Sequence, residues 1–575
     1  MFVVSRAAFS RAVVYGLPAG LLVLFGLSWT LPSLPWEPDE SRYLECAREM
    51  AASDDWLFPT LNGVPYLEKP PLYVMSIAAL FKLFGPSDLA ARAVSVAAGA
   101  GTVLLTSWIA SLAAGPRAAL RAGLILATSP FFLVLSTVVT LDMLFTLWVT
   151  AAIACFAQGT TDPDPGRPWR RTILHCGYLS LGLAILTKGP VALVVPGLVW
   201  IFWRPMGRER ILPPCLLGGL TILLAVSVPW FVLVQAKYPK FWDFFFLKGH
   251  LGRVIGDDVA NVNFHGEPWY FYLPVLLGGT APWMLFIGAP WRVLRPEITR
   301  SLWARLGWSW LLPGFAFFSM VSGKLPTYVL PLFPAVSILA TLAWEDVEAS
   351  RRSMAVGAAL AATLVAAGVG GLAMARALDV EVWWADYVEW PVAWAALAVC
   401  VAGLGTAAVL LWRKRDLLSF AAVVLGLSAL LLAGGFQKAS IDRAVSTDGL
   451  ARAVRRVAGP TDTMVCVNKY LPLFAFHLGR AVIVCGQRGE LDFGSEELKL
   501  RPDLFWDFAA LKARLDGPSR IFLSISRRRL PKFEAMVGRK LHLLGSTRNA
   551  YLLSNQAEPW PYPSVEQDRR SSTKP

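Results

Sequence analysis

The side chains of this sequence that could take part in a reaction lie in six short groups of charged and aromatic residues. The groups lie at 36–45, 66–71, 142, 187–190, 250–270 and 322–328. Four of these residues are carboxylates: Asp39, Glu40, Glu68 and Asp142. Carboxylates can act as general bases, and they can also coordinate a divalent cation. The set therefore predicts either proton transfer or cation binding at one site.

Cations and tyrosines accompany these carboxylates in the same groups. The cations are Arg42, Lys69, Lys188, Arg253 and Lys324, and the tyrosines are Tyr43, Tyr66 and Tyr328. Arginine and lysine bind phosphate oxygens, and fixed cations stabilise negative charge that develops on a departing phosphate. Carboxylates beside cations in a site open to the membrane predict a lipid-linked phosphate as a substrate.

Each of these residues also has a simpler interpretation. Asp39 follows Pro38 and precedes an amphipathic run, so it could cap a helix. Asp142 could be a charge favoured by the dipole at the start of a helix, and Lys188 or Lys324 could anchor a span end at the interface. His250 and His265 could be interfacial polar residues. Six groups on one side of the membrane favour a common site.

The composition requires lipid as the solvent for most of the chain. Of 575 residues, 55% are hydrophobic and only 16% are charged, against about a quarter in soluble domains. Thirteen apolar segments are long enough, or nearly so, to span a bilayer. They lie at 11–31, 88–113, 118–136, 141–157, 172–187, 190–203, 212–235, 268–291, 303–320, 325–343, 353–375, 392–412 and 417–436. The fold predicted from them is an all-α, multi-pass membrane domain over residues 1–437.

Basic residues in alternate gaps between these segments predict the orientation. With the N-terminus inside, every gap on the inner side is basic: Arg6 and Arg11, Arg117 and Arg121, Arg167 to Arg171, Arg204 to Arg210, Arg292 to Arg300, Arg351 and Arg352, and Arg413 to Arg415. The gap at 377–391 carries acidic residues only, as expected of the outer side. Two long loops, 32–87 and 236–267, and the C-terminus then lie outside with all six chemical groups.

The net charge of +14 agrees first with this topology and second with attraction to anionic lipids. No motif for DNA or RNA binding is present, so nucleic acid is excluded as a partner. The first apolar segment lacks a small-residue cleavage site before Trp36, which predicts a retained helix.

Residues 438–556 have an ordinary soluble composition. Apolar runs at Met464–Val467, Ala481–Cys485, Ile521–Ile525 and Tyr551–Leu553 predict strands, and Leu471–Leu478 and Leu504–Leu515 between them predict helices. Strands that alternate with helices predict a small α/β domain. Cys466 and Cys485 could form a disulfide in an oxidising compartment. The tail at 557–575 is predicted to be disordered.

Several motifs in this order resemble the bacterial aminoarabinose transferases and the related protein O-mannosyltransferases. They are PDESRYLECAREM (38–50), NGVPYLEKPPL (62–72), TLDM (140–143), LTKGP (186–190), FHGEPWYFYLP (264–274) and SGKLPTYVLPLFP (322–334). The similarity runs from about residue 36 to 335. The resemblance implies a GT-C fold, a location in the bacterial inner membrane and a periplasmic C-terminal domain.

The resemblance also implies a role for each matched residue. Asp39 and Asp142 match the two acidic positions, and Glu68 and Lys69 match a Glu-Lys-Pro element in which Glu68 is a candidate metal ligand. Asp39, Asp142 and Lys69 are the predicted catalytic residues. His250 or His265 would complete that divalent metal site. The pocket for the donor would be lined by Arg42, Tyr43, Tyr66, Lys188, Lys324 and Tyr328.

The implied reaction is an inverting transfer of 4-amino-4-deoxy-L-arabinose from undecaprenyl phosphate to a lipid A phosphate. A transferase of the same fold that acts on a protein or glycan hydroxyl is the main alternative, with Asp39 as a carboxylate base. A transporter of lipid-linked sugars is disfavoured, because transporters place ionisable residues near the midplane and often have two repeated halves.

Overall fold

The computed structural model describes residues 6–31, 33–161, 167–203, 213–251, 267–286, 301–345, 351–352, 354–365 and 387–557. The chain divides into two units. The first combines Met1–Pro32 with Arg92–Lys438, and the second combines Ser33–Ala91 with Ala439–Pro575. The sequence had placed the loop at 32–87 in the membrane domain, whereas the structure groups residues 33–91 with the C-terminal region.

The first unit is built of helices. They are Arg6–Thr30, Asp88–Ala127, Pro130–Thr137, Leu141–Thr161, Pro168–Lys188, Val194–Trp203, Leu216–Lys237, Tyr272–Gly279, Trp283–Phe286, Leu302–Met320, Phe333–Glu345, Met354–Val365, Trp390–Trp412 and Asp416–Val445. Short 3₁₀ turns at Pro190–Leu193 and Pro326–Leu332 and a π-helical turn at Asp243–Leu251 connect some of them.

Seven helical segments within the described residues are long and apolar enough to cross a membrane, which confirms the prediction of a multi-pass α-helical protein. They are Val13–Thr30, Asp88–Ala127, Leu141–Thr161, Leu216–Lys237, Pro326–Glu345, Trp390–Trp412 and Asp416–Val445. The count of thirteen spans stays a prediction.

The longest helix, Asp88–Ala127, is interrupted at Ala114 and Gly115, where the backbone leaves the helical region. Pro116 follows, and proline is accepted at the first position of a new helix. This break lies in the gap that the sequence predicted between the second and third apolar segments. The second predicted segment therefore ends at this kink, and the third runs from it through Ala127 into the separate helix Pro130–Thr137.

Hydrogen bonds between helices fix the packing of the first unit. The indole of Trp203 donates to the Leu302 carbonyl at 2.9 Å, and the Ser337 hydroxyl donates to the Ala122 carbonyl at 2.6 Å. Small residues allow close approach elsewhere, since a Cβ at Gly219 would lie 2.1 Å from the Tyr178 ring. Polar and small residues at helix contacts are typical of membrane bundles.

The second unit begins with the helix Asp39–Ser53, a hairpin of β1 (Thr60–Leu61) and β2 (Val64–Pro65), and the helix Leu72–Phe84. Its C-terminal part holds a six-stranded sheet with helices Asp448–Val457, Pro472–Leu478, Phe508–Leu515 and Leu530–Val537. The strands are β3 (Thr463–Val467), β4 (Ile483–Cys485), β5 (Phe505–Trp506), β6 (Ile521–Ser526), β7 (His542–Ser546) and β8 (Ala550–Ser554).

The spatial order of the sheet is β5-β4-β3-β6-β8-β7, with the first four strands parallel and the last two antiparallel. This confirms the predicted small α/β domain and four of its strands. The sequence missed β5, which has only two residues, and β7, an edge strand with a register shift between Leu543 and Gly545. The predicted helix at 504–515 begins at Phe508, because the Asp507 side chain caps it by accepting from the Ala510 amide at 2.6 Å.

Cys466 and Cys485 are free, buried thiols. They lie on the paired strands β3 and β4, but Cys466 is opposite Val484 and Cys485 is opposite Val467. Adjacent positions of a strand point to opposite faces of the sheet, so the two sulfur atoms do not meet. Burial raises the pKa of each thiol to about 12, which keeps both protonated at neutral pH.

Residues 33–91 are bonded to the C-terminal part of the second unit. The Asn62 amide donates to the Val482 carbonyl at 2.9 Å and accepts from the Val482 amide at 2.8 Å. The Glu37 carboxylate accepts from the Thr447 hydroxyl at 2.5 Å and from the Leu473 amide at 3.1 Å. These long-range bonds explain why the loop groups with residues 439–575.

Candidate functional site

In the first unit, Asp142 and Lys188 form an ion pair. Asp142 lies in the first turn of the helix Leu141–Thr161, and Lys188 is the last residue of the helix Pro168–Lys188. The helix dipole favours an acid at the first position and a base at the second. The Thr140 hydroxyl also donates to the Asp142 carboxylate at 2.9 Å. Both side chains are 13% exposed, so the pair is largely withdrawn from water.

Aromatic rings surround the ammonium group of Lys188. It lies 4.5 Å from the centroid of the Tyr328 ring and 5.2 Å from that of Phe145. Ring faces attract cations, and they also exclude water from one side of the ammonium. Three predicted site residues, Asp142, Lys188 and Tyr328, are thus brought together from three separate parts of the sequence.

Lys324 is buried close to the same stretch of chain, just before the turn Pro326–Leu332. Its ammonium donates to the Glu267 carbonyl at 3.0 Å. This bond satisfies one of the three donors of the ammonium group. Arg253 and His265 lie outside the described residues, and the same holds for the side chain of His250.

Gly189 positions Lys188, because it ends the helix with φ +92° and ψ −168°. Only glycine adopts this backbone region readily, and other residues there cost about 1–3 kcal/mol. We expect Gly189→Ala to lower the stability of the protein by that amount, measured as a lower thermal midpoint in detergent. Gly197→Ala is the matched control. That position lies within the helix Val194–Trp203 with open space around it, so no loss is expected. Equal midpoints for the two variants would contradict the role of Gly189.

In the second unit, Arg42 binds two carboxylates. Its guanidinium donates to Asp39 at 2.6 Å and to Glu490. Asp39 is 75% exposed, whereas Arg42 is only 12% exposed. Asp39 is the first residue of the helix Asp39–Ser53, and Pro38 occupies the N-cap position. The capping interpretation of Asp39 is therefore not supported.

Tyrosines pack around Arg42 on the other side. The guanidinium carbon lies 5.3 Å from the centroid of the Tyr43 ring and 6.0 Å from that of Tyr66, and both tyrosines are buried. The Nε atom of Arg42 is buried and has no hydrogen-bond partner within the described residues. A buried donor without an acceptor is uncommon in a folded protein.

The remaining predicted residues of this region are Glu40, Glu68 and Lys69. Glu40 is buried, and its carboxylate accepts a hydrogen bond from the Trp36 amide at 2.9 Å. It therefore stabilises the backbone that precedes the helix Asp39–Ser53. Glu68 is partly exposed and acts electrostatically on both Arg42 and Glu490. The Lys69 ammonium donates to the Glu68 carbonyl at 3.1 Å.

Glu490 was missed by the sequence analysis. It lies in a short 3₁₀ turn, Gly489–Leu491, after β4, and outside the segment that carries the family resemblance. The pKa of Glu490 is raised to about 7. Burial is the main cause, Arg42 opposes it, and the nearby charges of Glu68 and Asp39 add to it. Only the folding of residues 33–91 onto the C-terminal part places this carboxylate on Arg42.

The described residues do not support a metal site. They contain no group of three histidine, cysteine or acidic side chains arranged to hold a metal ion, and Glu68 has carboxylate neighbours but no such set. The predicted histidine ligands fall outside the described side chains. The divalent cation stays a prediction.

Known proteins are similar to this chain both in sequence and in structure. The family model for dolichyl-phosphate-mannose-protein mannosyltransferases matches residues 33–245. Undecaprenyl phosphate-α-4-amino-4-deoxy-L-arabinose arabinosyl transferase from Edwardsiella ictaluri is 36% identical over 334 residues, which are 56% of this chain and 58% of the relative. An enzyme of that name from Sodalis glossinidius is 34% identical over 400 residues, which are 64% of this chain and 68% of the relative. The matched part of the chain thus spans about three fifths of some relatives and two thirds of others.

The structure is similar to the crystal structure of ArnT from Cupriavidus metallidurans bound to undecaprenyl phosphate. The TM-score is 0.81 at 26% identity, over 96% of this chain and 99% of the other. The similarity therefore includes the C-terminal domain, which the predicted motifs did not cover. The chain belongs to the family of undecaprenyl phosphate-α-4-amino-4-deoxy-L-arabinose arabinosyl transferases, which are membrane glycosyltransferases of the GT-C fold.

Proposed function

We propose that this protein transfers 4-amino-4-deoxy-L-arabinose from undecaprenyl phosphate to a phosphate group of lipid A. The observation that carries the proposal is the Asp142–Lys188–Tyr328 cluster in a chain of this family. The names of the relatives specify both the carrier lipid and the sugar. The similar ArnT structure contains undecaprenyl phosphate.

In the transfer, a nucleophilic oxygen of the acceptor forms a bond to C1 of the sugar as the bond from C1 to the donor phosphate oxygen breaks. Negative charge moves from the acceptor to the departing undecaprenyl phosphate. Lys188 is a fixed, largely dehydrated cation that can stabilise this charge. Asp142 holds the ammonium in place through the ion pair, so no reorganisation is needed during the reaction.

We also propose that Arg42, in the second unit, binds a phosphate oxygen. Its two terminal nitrogens are held by Asp39 and Glu490. A guanidinium held at both ends has a fixed orientation, which suits binding of a phosphate oxygen. Asp39 acts in this proposal as a positioning residue for Arg42.

A crevice in the second unit suits a phosphorylated acceptor. This cavity of about 410 Å³ is lined by Pro38, Glu490 and residues that follow β3, β4 and β6 at their carboxyl ends. Parallel sheets commonly bind ligands at this edge. Three cations contribute to the lining: Lys469, Arg488 and Arg529. A phosphate acceptor is already ionised at neutral pH and needs no general base.

The pKa of Glu490 gives a prediction for pH dependence. Ionised Glu490 competes for Arg42, so binding of the phosphate substrate should weaken as the pH rises through about 7. We expect the apparent KM of the wild-type protein to rise across this range and that of Glu490→Gln to stay constant. Asp516→Asn is the control, because Asp516 is 68% exposed and pairs with Arg539 outside the crevice. If the apparent KM of Glu490→Gln depended on pH as that of the wild type does, competition by Glu490 for Arg42 would be refuted.

Mass spectrometry of lipid A tests the proposed function. Cells that contain the gene and the donor lipid should add an aminopentose mass increment to lipid A, and cells without the gene should not. An unchanged lipid A profile in the presence of donor would reject lipid A as the acceptor.

A second candidate function is transfer to a protein or glycan hydroxyl. The match of residues 33–245 to the mannosyltransferase model supports it. Asp39 is exposed enough to reach a hydroxyl proton and would act as the base. A gene-dependent mass shift on a periplasmic glycoprotein, with unchanged lipid A, would favour this alternative.

We also propose that the N-terminus is cytoplasmic and that the second unit lies in the periplasm of the bacterial inner membrane. The basic gaps of the sequence support this orientation. Alkaline phosphatase fused after residue 557 should be active, because it folds only outside the cytoplasm, and a fusion after Trp412 should be inactive. The reverse pattern would overturn the orientation.

A further inference from the structure

A groove of about 940 Å³ in the second unit is lined by residues that the proposed reaction does not use. Five of the lining residues are cations: Arg48, Lys82, Arg452, Arg455 and Arg456. They come from the helices Asp39–Ser53, Leu72–Phe84 and Asp448–Val457. We call this feature the basic groove. Its volume lies at the upper end of the range for small-molecule sites, which is about 300–1,000 Å³.

Carboxylates neutralise only part of this charge. Arg48 pairs with Glu45 at 2.7 Å, and Lys82 pairs with Asp54 at 2.5 Å. Within the described residues, Arg455 makes no ion pair or hydrogen bond, and it is exposed. Arg452 pairs with Asp448 at 2.7 Å. The lining contains five cations and two carboxylates, Asp88 and Asp448, so its net charge is +3.

The buried lining of the basic groove combines two aromatic rings with a polar pair whose hydrogen bond is made within the protein. Phe81 and Phe476 pack with their ring centroids 6.2 Å apart. The buried His477 ring bonds to Asp448 at 2.7 Å. His477 and Arg452 hold the pKa of Asp448 below its ordinary value, although burial acts to raise it. Asp448 thus stays charged and paired, and the floor offers apolar surface beneath a rim of cations.

Two residues that line the basic groove adjoin apolar helices in the sequence. Asp88 lines the groove and begins the apolar helix Asp88–Ala127, and Asp448 follows the end of the apolar helix Asp416–Val445. Next to Lys82, the side chains of Leu83 and Phe84 are 74% and 76% exposed. Exposed apolar residues beside a cation are typical of a segment that enters the lipid interface.

We propose that the basic groove binds the phosphate-bearing headgroup of an anionic lipid from the adjacent membrane surface. The rim cations would bind the phosphate oxygens, and the apolar floor would contact the glycerol or acyl region. The dipole of the helix Asp448–Val457 also favours Arg455 and Arg456 in its last turn. That effect does not account for Arg48 and Lys82, which reach the same groove from two other helices.

The test measures lipid binding to the full-length protein in detergent by native mass spectrometry. The probes are phosphatidylglycerol and phosphatidylcholine with matched acyl chains. We expect selective binding of phosphatidylglycerol, weakened about thirtyfold by Arg455→Gln/Arg456→Gln, because the double variant removes two of the cations that attract the anionic headgroup. The control is Arg528→Gln/Lys532→Gln, which removes the same charge from exposed positions outside the groove.

Three results would overturn the proposal: equal binding of the two lipids, an equal loss in the control variant, or displacement of the lipid by millimolar inorganic phosphate. The last result would identify a free phosphate site. If the double variant melts at a lower temperature than the wild type, Lys82→Gln provides the same comparison at a residue that is 43% exposed. Because the readout is binding, the result is independent of the proposed transfer reaction.

Discussion

Replacing Lys188 with methionine is expected to lower the rate of sugar transfer by about 10²–10³, the usual effect of removing one electrostatic stabiliser from an active site. The ammonium lies between the Asp142 carboxylate and the Tyr328 ring, largely out of water. No other described side chain forms an ion pair with Asp142. The measurement is the initial rate of transfer by purified protein with saturating donor and acceptor.

Lys188→Met also leaves the buried Asp142 charge without its ion-pair partner, which costs about 3–5 kcal/mol in comparable cases. A loss of activity could therefore reflect unfolding. The double variant Asp142→Leu/Lys188→Met removes both charges, and such replacements are often neutral for stability. We expect the double variant to recover the melting temperature of the wild type and to remain inactive. Recovery of activity together with stability would show that the ion pair has only a structural role.

Asp39→Asn is expected to reduce transfer by about 10²-fold or more with little effect on stability, because a misplaced group in a reaction site can cost that much. The exchange keeps the volume of the side chain and removes its charge. Asp39 is 75% exposed, and exposed ion pairs contribute only about 0–1 kcal/mol to stability. The loss should therefore appear in the rate and not in the thermal midpoint.

Asp503→Asn is the matched control for this change. Asp503 is 61% exposed and pairs with Arg501 at 2.8 Å, so the same atoms and a similar ion pair are altered outside the Arg42 cluster. Full activity of Asp39→Asn, or an equal loss in Asp503→Asn, would remove Asp39 from the site.

The functional residues that the sequence could identify were those at the ends of apolar segments. Asp142 and Lys188 stand where a span begins or ends, and a charge at that depth is costly unless it is paired or used. Their pairing with each other, and the Tyr328 ring over Lys188, were not readable. The partners are 46 and 140 residues apart in the chain, and nothing local specifies which helix ends meet.

Glu490 is a clearer example of a site residue that the sequence does not predict. It is one acidic residue in a soluble-looking segment, with no periodicity or motif to distinguish it from its neighbours. Its effect on Arg42 depends on the bonds that tie residues 33–91 to the C-terminal part, such as those of Asn62 with Val482. The basic groove arises in the same way, since its cations come from three helices.

The sequence by itself determined that the chain crosses a membrane and that its C-terminal part contains a small α/β fold. It also identified the charged residues at span ends, whose charge is energetically unfavourable unless it is paired or used. These properties follow from hydrophobic length and period, which are local. Only the tertiary structure decided which charges pair, that the first long loop joins the α/β domain, and that Cys466 and Cys485 stay apart. Those outcomes depend on register and on contacts between distant segments, because a shift of one residue in β3 against β4 would change which side chains face each other.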